Sequence, residues 1–149
     1  TLYLLGGGLA LGKLMFDTGL AAALAAAALD LAGPLAASPF GLLAASTFLM
    51  TAITELTSNT AATSMMIPVL LAIAQRLGVD PLPMILCVTL AASNAFMLPV
   101  STPPNAIVYG AGHVRLGEMI RAGAVLDLVG FAVLLACGAL LLPLLGLGG

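Results

Sequence analysis

Charge is what this sequence has least of. Its 149 residues hold 4 Lys+Arg and 6 Asp+Glu, so only 7% are charged, against about 25% in ordinary soluble domains. A soluble fold of this length cannot cover its surface with so few ions. The same scarcity excludes nucleic acid as a partner, because no basic patch can be assembled. A net charge of −2 on so small a base says little more. Cysteine is also scarce: Cys87 and Cys137 lie in separate apolar runs, without metal-ligand spacing. Both read as plain thiols in apolar surroundings, and the redox compartment stays open.

What the sequence does contain is 62% hydrophobic residues, with a mean hydropathy of +1.22. Lipid is the solvent in which such side chains face outward at no cost, so the expected class is an all-α integral membrane protein. The chain starts at Thr1, already inside hydrophobic sequence and without a signal-peptide n-region. That beginning reads as part of a longer protein.

A helix needs about 20 residues to cross a bilayer core, and the apolar segments meet that length unevenly. Residues 1–38 read as an opening transmembrane region, bent or divided near Asp17 to Gly19, with Lys13 and Asp17 spaced for an i, i+4 pair. Residues 39–77 form two apolar arms around Ser58, Asn59 and Thr60. The first arm, Pro39 to Thr54, reaches only about 24 Å as a helix, and the second reads as similar. Either both arms cross with the polar turn outside, or they form a re-entrant hairpin with its tip inside the membrane. Residues 78–112 are long enough to cross but are interrupted by Pro99, Pro103 and Pro104. Residues 113–149 comprise a loop and a final span, Ala122 to Leu145, with Asp127 near its start. Arg115 and Arg121 place the 113–121 loop on the cytoplasmic side.

The interruption carries chemistry. Three prolines remove three backbone donors, so carbonyls of residues 95 to 101 lose helical partners. Irregular backbone at membrane depth persists only where protein buries it or a wet cavity borders it. New helices are expected at Ala61, after Ser58-Asn59-Thr60, and near Ala106, after Thr102-Pro103-Pro104-Asn105. Two helix N-termini aimed at one cavity can bind an anion without lysine or arginine. The Asn59 amide oxygen and the freed carbonyls are neutral ligands suited to Na⁺. Neither stretch contains His or Cys, which disfavours a transition metal. His113 reads as a solvated loop residue, and Glu55 as a hydrogen-bond partner for the hairpin end rather than a proton carrier. No nucleophile–base pair is present, so no enzyme is expected.

At these residues the sequence closely resembles the divalent anion:sodium symporter family, carriers of dicarboxylates, citrate and sulfate. Ser58-Asn59-Thr60 matches that family's Ser-Asn-Thr motif. Ala92 to Val108, A-S-N-A-F-M-L-P-V-S-T-P-P-N-A-I-V, matches its broken-helix signature, and GGGLALGK at the start looks like its second half. The resemblance implies one inverted-repeat half of an elevator-type transporter, with 39–77 as the re-entrant hairpin. It implies Na⁺ held by the carbonyls of Thr54 and Thr57, by Asn59 and by the Ser101 carbonyl. It implies a substrate site of Ser58, Asn59, Thr60, Thr102, Pro103 and Asn105, taking a small dianion such as succinate.

The family carries two such motifs and two broken helices, and this sequence carries one of each. The expected chain is therefore the C-terminal repeat of a carrier that also needs its first repeat and forms a homodimer. Its expected location is a cell membrane, multi-pass, in the bacterial inner membrane. Proton-coupled or exchange transport of citrate or sulfate, a passive anion channel and a structural membrane subunit stand as the alternatives.

Overall fold

A computed structural model describes residues 2–144, all of whose regular elements are helical. Seven α-helices follow in order: α1 (Leu2–Asp17), α2 (Leu20–Ala32), α3 (Pro39–Thr54), α4 (Asn59–Leu77), α5 (Leu82–Ala91), α6 (Pro103–Gly110) and α7 (Leu116–Leu144). A 3₁₀ turn, Gly33–Ala37, joins α2 to α3.

The opening region divides where the sequence predicts. Gly19 sits at φ 75°, a left-handed conformation that ends one helix and admits the next. Lys13 and Asp17 form no ion pair there; both are exposed. Ser38 then starts α3, its hydroxyl accepting from the Gly41 amide at 3.0 Å, with Pro39 in the first turn. Only glycine fits at position 41, because a Cβ there would collide with the Leu35 carbonyl.

The two arms around the polar turn are helices of unequal length. α3 has 16 residues, whereas α4 has 19 and is long and apolar enough to cross a membrane. At 1.5 Å per residue α4 spans roughly 28 Å, so the second arm exceeds the short length expected from the sequence. It begins at Asn59, two residues before the expected Ala61, because Ser58 caps it through the Ala61 amide at 3.3 Å. Gly78, at φ 67°, ends it.

α7 is the other helix among the described residues that is long and apolar enough to cross a membrane, over Leu116–Leu140. It starts before the expected Ala122 because Glu118 turns back to accept the Arg115 amide at 3.2 Å, half of a capping box. α1 and α2 pack on α4, while α3, α5 and α7 pack on one another. The α3–α5 side buries Thr47, Met50, Thr54 and Val88 almost completely, and α4 adds Leu70. Cys87 is buried and Cys137 exposed, both as free thiols. The result sets the polar turn between α3 and α4 against the interruption between α5 and α6.

Candidate functional site: the helix tip and the broken helix

Between α3 and α4 the chain spends four residues, Glu55 to Ser58, outside helix. Between α5 and α6 it spends eleven, Ala92 to Thr102. The interruption therefore opens earlier than the prolines alone require. Its cause is tertiary: side chains from other elements take up the backbone groups that a helix would otherwise pair.

Glu55 does most of this. Buried at the end of α3, its two carboxylate oxygens accept the backbone amides of Met97 and Leu98 at 2.9 and 3.0 Å. A carboxylate receiving two N–H donors is a charge-assisted clamp. Thr54, fully buried one residue earlier, places its hydroxyl 2.7 Å from the Ala92 carbonyl and 2.8 Å from Asn59 Oδ1. That hydroxyl has one proton, so it donates to one oxygen while the other oxygen borders it. Three neutral oxygens, from Thr54, Asn59 and Ala92, thus converge where the tip meets the start of the interruption. Such a set suits a hard monovalent cation.

The far end of the interruption is held from α6. Asn105 Nδ2 lies within donating distance of the Ala95 carbonyl (3.0 Å), the Leu98 carbonyl (3.1 Å) and Ser101 Oγ (3.1 Å). Ser101 is buried and its hydroxyl donates to the Leu98 carbonyl at 2.6 Å. Thr102 caps α6, accepting the Asn105 amide at 3.4 Å, and α6 begins at Pro103, not near Ala106. Prolines at 103 and 104 cost nothing there, since first-turn amides have no helical partner.

The sequence-derived residues separate into two groups by contact. Thr54, Asn59, Ser101 and Asn105 sit in the polar network that joins or shapes the two interruptions. Thr57, Ser58, Thr60 and Pro103 are exposed, and Thr102 is half-buried. Thr57 donates to the Ile53 carbonyl at 3.2 Å, within its own turn. Among the described residues the backbone carbonyls of Thr54, Thr57 and Ser101 accept no backbone hydrogen bond. No cluster of three His, Cys, Asp or Glu side chains occurs among those residues.

The sequence reading passed over four contributors. Ala92 offers only a carbonyl, which leaves no side-chain signal. Asn94 Nδ2 donates to the Asp127 carbonyl at 3.0 Å, fastening the interruption to α7. Gly123 and Gly130 let α7 approach: a Cβ at Gly123 would strike the Phe96 carbonyl, and one at Gly130 would strike the Asn94 amide. Their spacing around Asp127, i−4 and i+3, was the readable trace of that face.

With this geometry in place, comparison with known proteins gives a consistent result. Residues 1–147 match the family described as the sodium:sulfate symporter transmembrane region. Solute carrier family 13 member 2 of Rattus norvegicus is 43% identical over 143 residues, covering 95% of this chain and 24% of that protein. The sodium-dependent dicarboxylate transporter SdcS of Staphylococcus saprophyticus is 37% identical over 142 residues, covering 95% of this chain and 27% of that protein. The Na(+)/citrate cotransporter of Rattus norvegicus is 46% identical over 79 residues, 53% of this chain and 14% of that protein. These relatives are transporters, not enzymes. The chain spans about a quarter of the length of the first two.

Proposed function

This chain belongs to the sodium:sulfate symporter family, and on that premise we propose that it is the C-terminal repeat of a sodium-coupled carrier of small dianions. One observation carries the reading: in a chain with so few charges, buried polar groups join the α3–α4 tip to the α5–α6 interruption. Polar groups at membrane depth are expensive and persist where they bind something.

In this reading α3 and α4 are a re-entrant hairpin with Ser58-Asn59-Thr60 at its tip. Na⁺ is held by the carbonyls of Thr54, Thr57 and Ser101 and by Asn59 Oδ1. The dianion meets Ser58, Asn59, Thr60, Thr102 and Pro103, with Asn105 fixing the shape of the interruption beneath it. The N-termini of α4 and α6 face its carboxylates. The remaining ligands come from a first repeat related by a pseudo-twofold axis. The two halves move together across a bacterial inner membrane as an elevator, within a homodimer.

Succinate is the substrate we put first, since a relative is named as a dicarboxylate transporter; citrate and sulfate are the comparison substrates. The test is uptake of labelled succinate into proteoliposomes holding the complete carrier, with an inward gradient of Na⁺ or of choline. Saturable accumulation only with Na⁺ supports the proposal. Equal uptake in choline removes sodium coupling, and non-saturable flux would mean a channel. No succinate uptake with sodium-driven citrate or sulfate uptake would reassign the substrate and keep the mechanism.

A further inference from the structure

Threonines around the tip share a habit that one of them breaks. Thr47, Thr51, Thr57 and Thr63 each donate a hydroxyl proton to the carbonyl four residues back, the usual local bond of this side chain in a helix. Thr54 instead faces out of its turn. Its hydroxyl lies 2.8 Å from Asn59 Oδ1 and 2.7 Å from the carbonyl of Ala92, 38 residues along the chain. The side chain is 0% exposed, and a β-branched residue in a helix has little freedom at χ1. The hydroxyl is therefore a fixed group set between the tip and the start of the interruption.

Asn59 needs such a group. Its amide has two unlike edges, an oxygen that accepts and an NH₂ that donates. The proposed site uses the oxygen for Na⁺ and leaves the NH₂ for the dianion. Turned over, the amide would offer NH₂ to the cation and oxygen to the anion, and would repel both. Among the described residues the Thr54 hydroxyl is the one donor within hydrogen-bond distance of Oδ1. Asn59 is half-buried between the exposed Ser58 and Thr60, so burial alone does not fix it.

We propose that Thr54 is the positioning residue of the tip: its hydroxyl holds the Asn59 amide with the oxygen toward the cation and the NH₂ toward the dianion. In the empty tip the hydroxyl donates to Oδ1, at 2.8 Å. When Na⁺ takes Oδ1, the hydroxyl turns its proton to the Ala92 carbonyl, already 2.7 Å away. One neutral hydrogen bond replaces another of similar length, so the exchange costs little. The amide oxygen has a positive partner at every stage and is ordered before either ligand arrives. A group ordered in advance loses no freedom on binding. This role belongs to the side chain and is separate from that of the Thr54 carbonyl. It rests on the transport reading and names what keeps Asn59 usable by both ions.

Thermal stabilisation of the complete carrier by Na⁺ reads the cation constant without needing transport, because a ligand of the folded state raises the melting temperature with its concentration. Thr54→Val keeps the branched shape and removes the hydroxyl, whereas Thr54→Ser keeps the hydroxyl. The valine variant should need roughly five- to tenfold more Na⁺ for the same stabilisation, the worth of about one hydrogen bond. Equilibrium binding of labelled succinate at saturating Na⁺ should weaken alongside. Thr54→Ser should recover most of both losses. Combined with Asn59→Ala, Thr54→Val should add no further loss, since the amide it positions is gone. Thr54→Ala takes the place of the valine variant in the same cycle if that one fails to fold. A loss that adds in full to that of Asn59→Ala, as a merely structural hydroxyl would give, overturns the proposal. A wild type stabilised by Na⁺ with an equal or tighter constant in the folded valine variant defeats this inference alone. A wild type that Na⁺ does not stabilise at all defeats the transport reading beneath it.

Discussion

Glu55 shows how a single side chain can hold an irregular backbone inside a membrane protein. The amides of Met97 and Leu98 would be half-buried donors without acceptors if it were absent. Leaving buried donors unsatisfied costs about 1–3 kcal/mol each, more when the lost partner is charged. Glu55→Gln keeps the volume but removes the charge and points an NH₂ group at one of the two amides. The purified carrier should therefore melt earlier, in proportion to about 2 kcal/mol lost, and a melting curve superimposable on the wild type would refute the clamp. Asn59 lies at a different kind of position. Its amide oxygen borders Thr54, while its backbone opens α4 beneath the Ser58 cap. In the proposed site the same side chain serves both ions, so Asn59→Ala should raise the apparent constants for Na⁺ and dianion together. Thr60→Ala should raise mainly that for the dianion. Unchanged affinities in Asn59→Ala, measured by uptake titration, would remove Asn59 from the site.

Among the elements, the interruption between α5 and α6 depends on α7 more than on its own prolines. Prolines at 99, 103 and 104 explain why helix cannot continue through the Ser101 region and where α6 begins. They do not explain unwinding from Ala92, seven residues before the first of them. That part was illegible because its causes lie elsewhere in the chain: Glu55 from α3, and the Asp127 carbonyl and two glycines from α7. By contrast, the caps at Ser38, Ser58 and Thr102, and the division at Gly19, act within a few residues and could be read directly. The start of α7 was missed by weighing hydropathy over capping, for Glu118 extends the helix into polar sequence. Glycine substitutions test the α7 contact. A Cβ at Gly123 strikes backbone atoms of Phe96 and Met97, which cannot turn aside. A Cβ at Gly130 strikes the Asn94 side chain, which can, although its bond to Asp127 is then lost. Gly117, with nothing within 4 Å, is the control. Uptake and melting temperature should fall most for Gly123→Ala, less for Gly130→Ala and negligibly for Gly117→Ala. Equal effects at Gly117 and Gly123 would show that helix propensity, not the close approach, is being measured.

The whole molecule poses a charge problem that the proposed transport has to solve. All four basic side chains, Lys13, Arg76, Arg115 and Arg121, are exposed. None falls in the α3–α4 tip or the α5–α6 interruption. A dianion bound there meets the positive ends of α4 and α6, each equivalent to about half an elementary charge. Together these offset roughly half of a charge of −2, and the buried Glu55 carboxylate opposes them. From this half of the carrier, the compensating charge has to arrive with the substrate, as Na⁺. Apparent affinity for the dianion should then rise steeply with Na⁺ concentration. By linkage, sodium affinity should rise equally when the dianion is present, because a coupling free energy between two binding sites is reciprocal. Equilibrium binding to the complete carrier reads both sides of that relation. Dianion affinity independent of Na⁺ would mean that fixed positive charge from the first repeat does the work, and that the tip is not where the two ions meet.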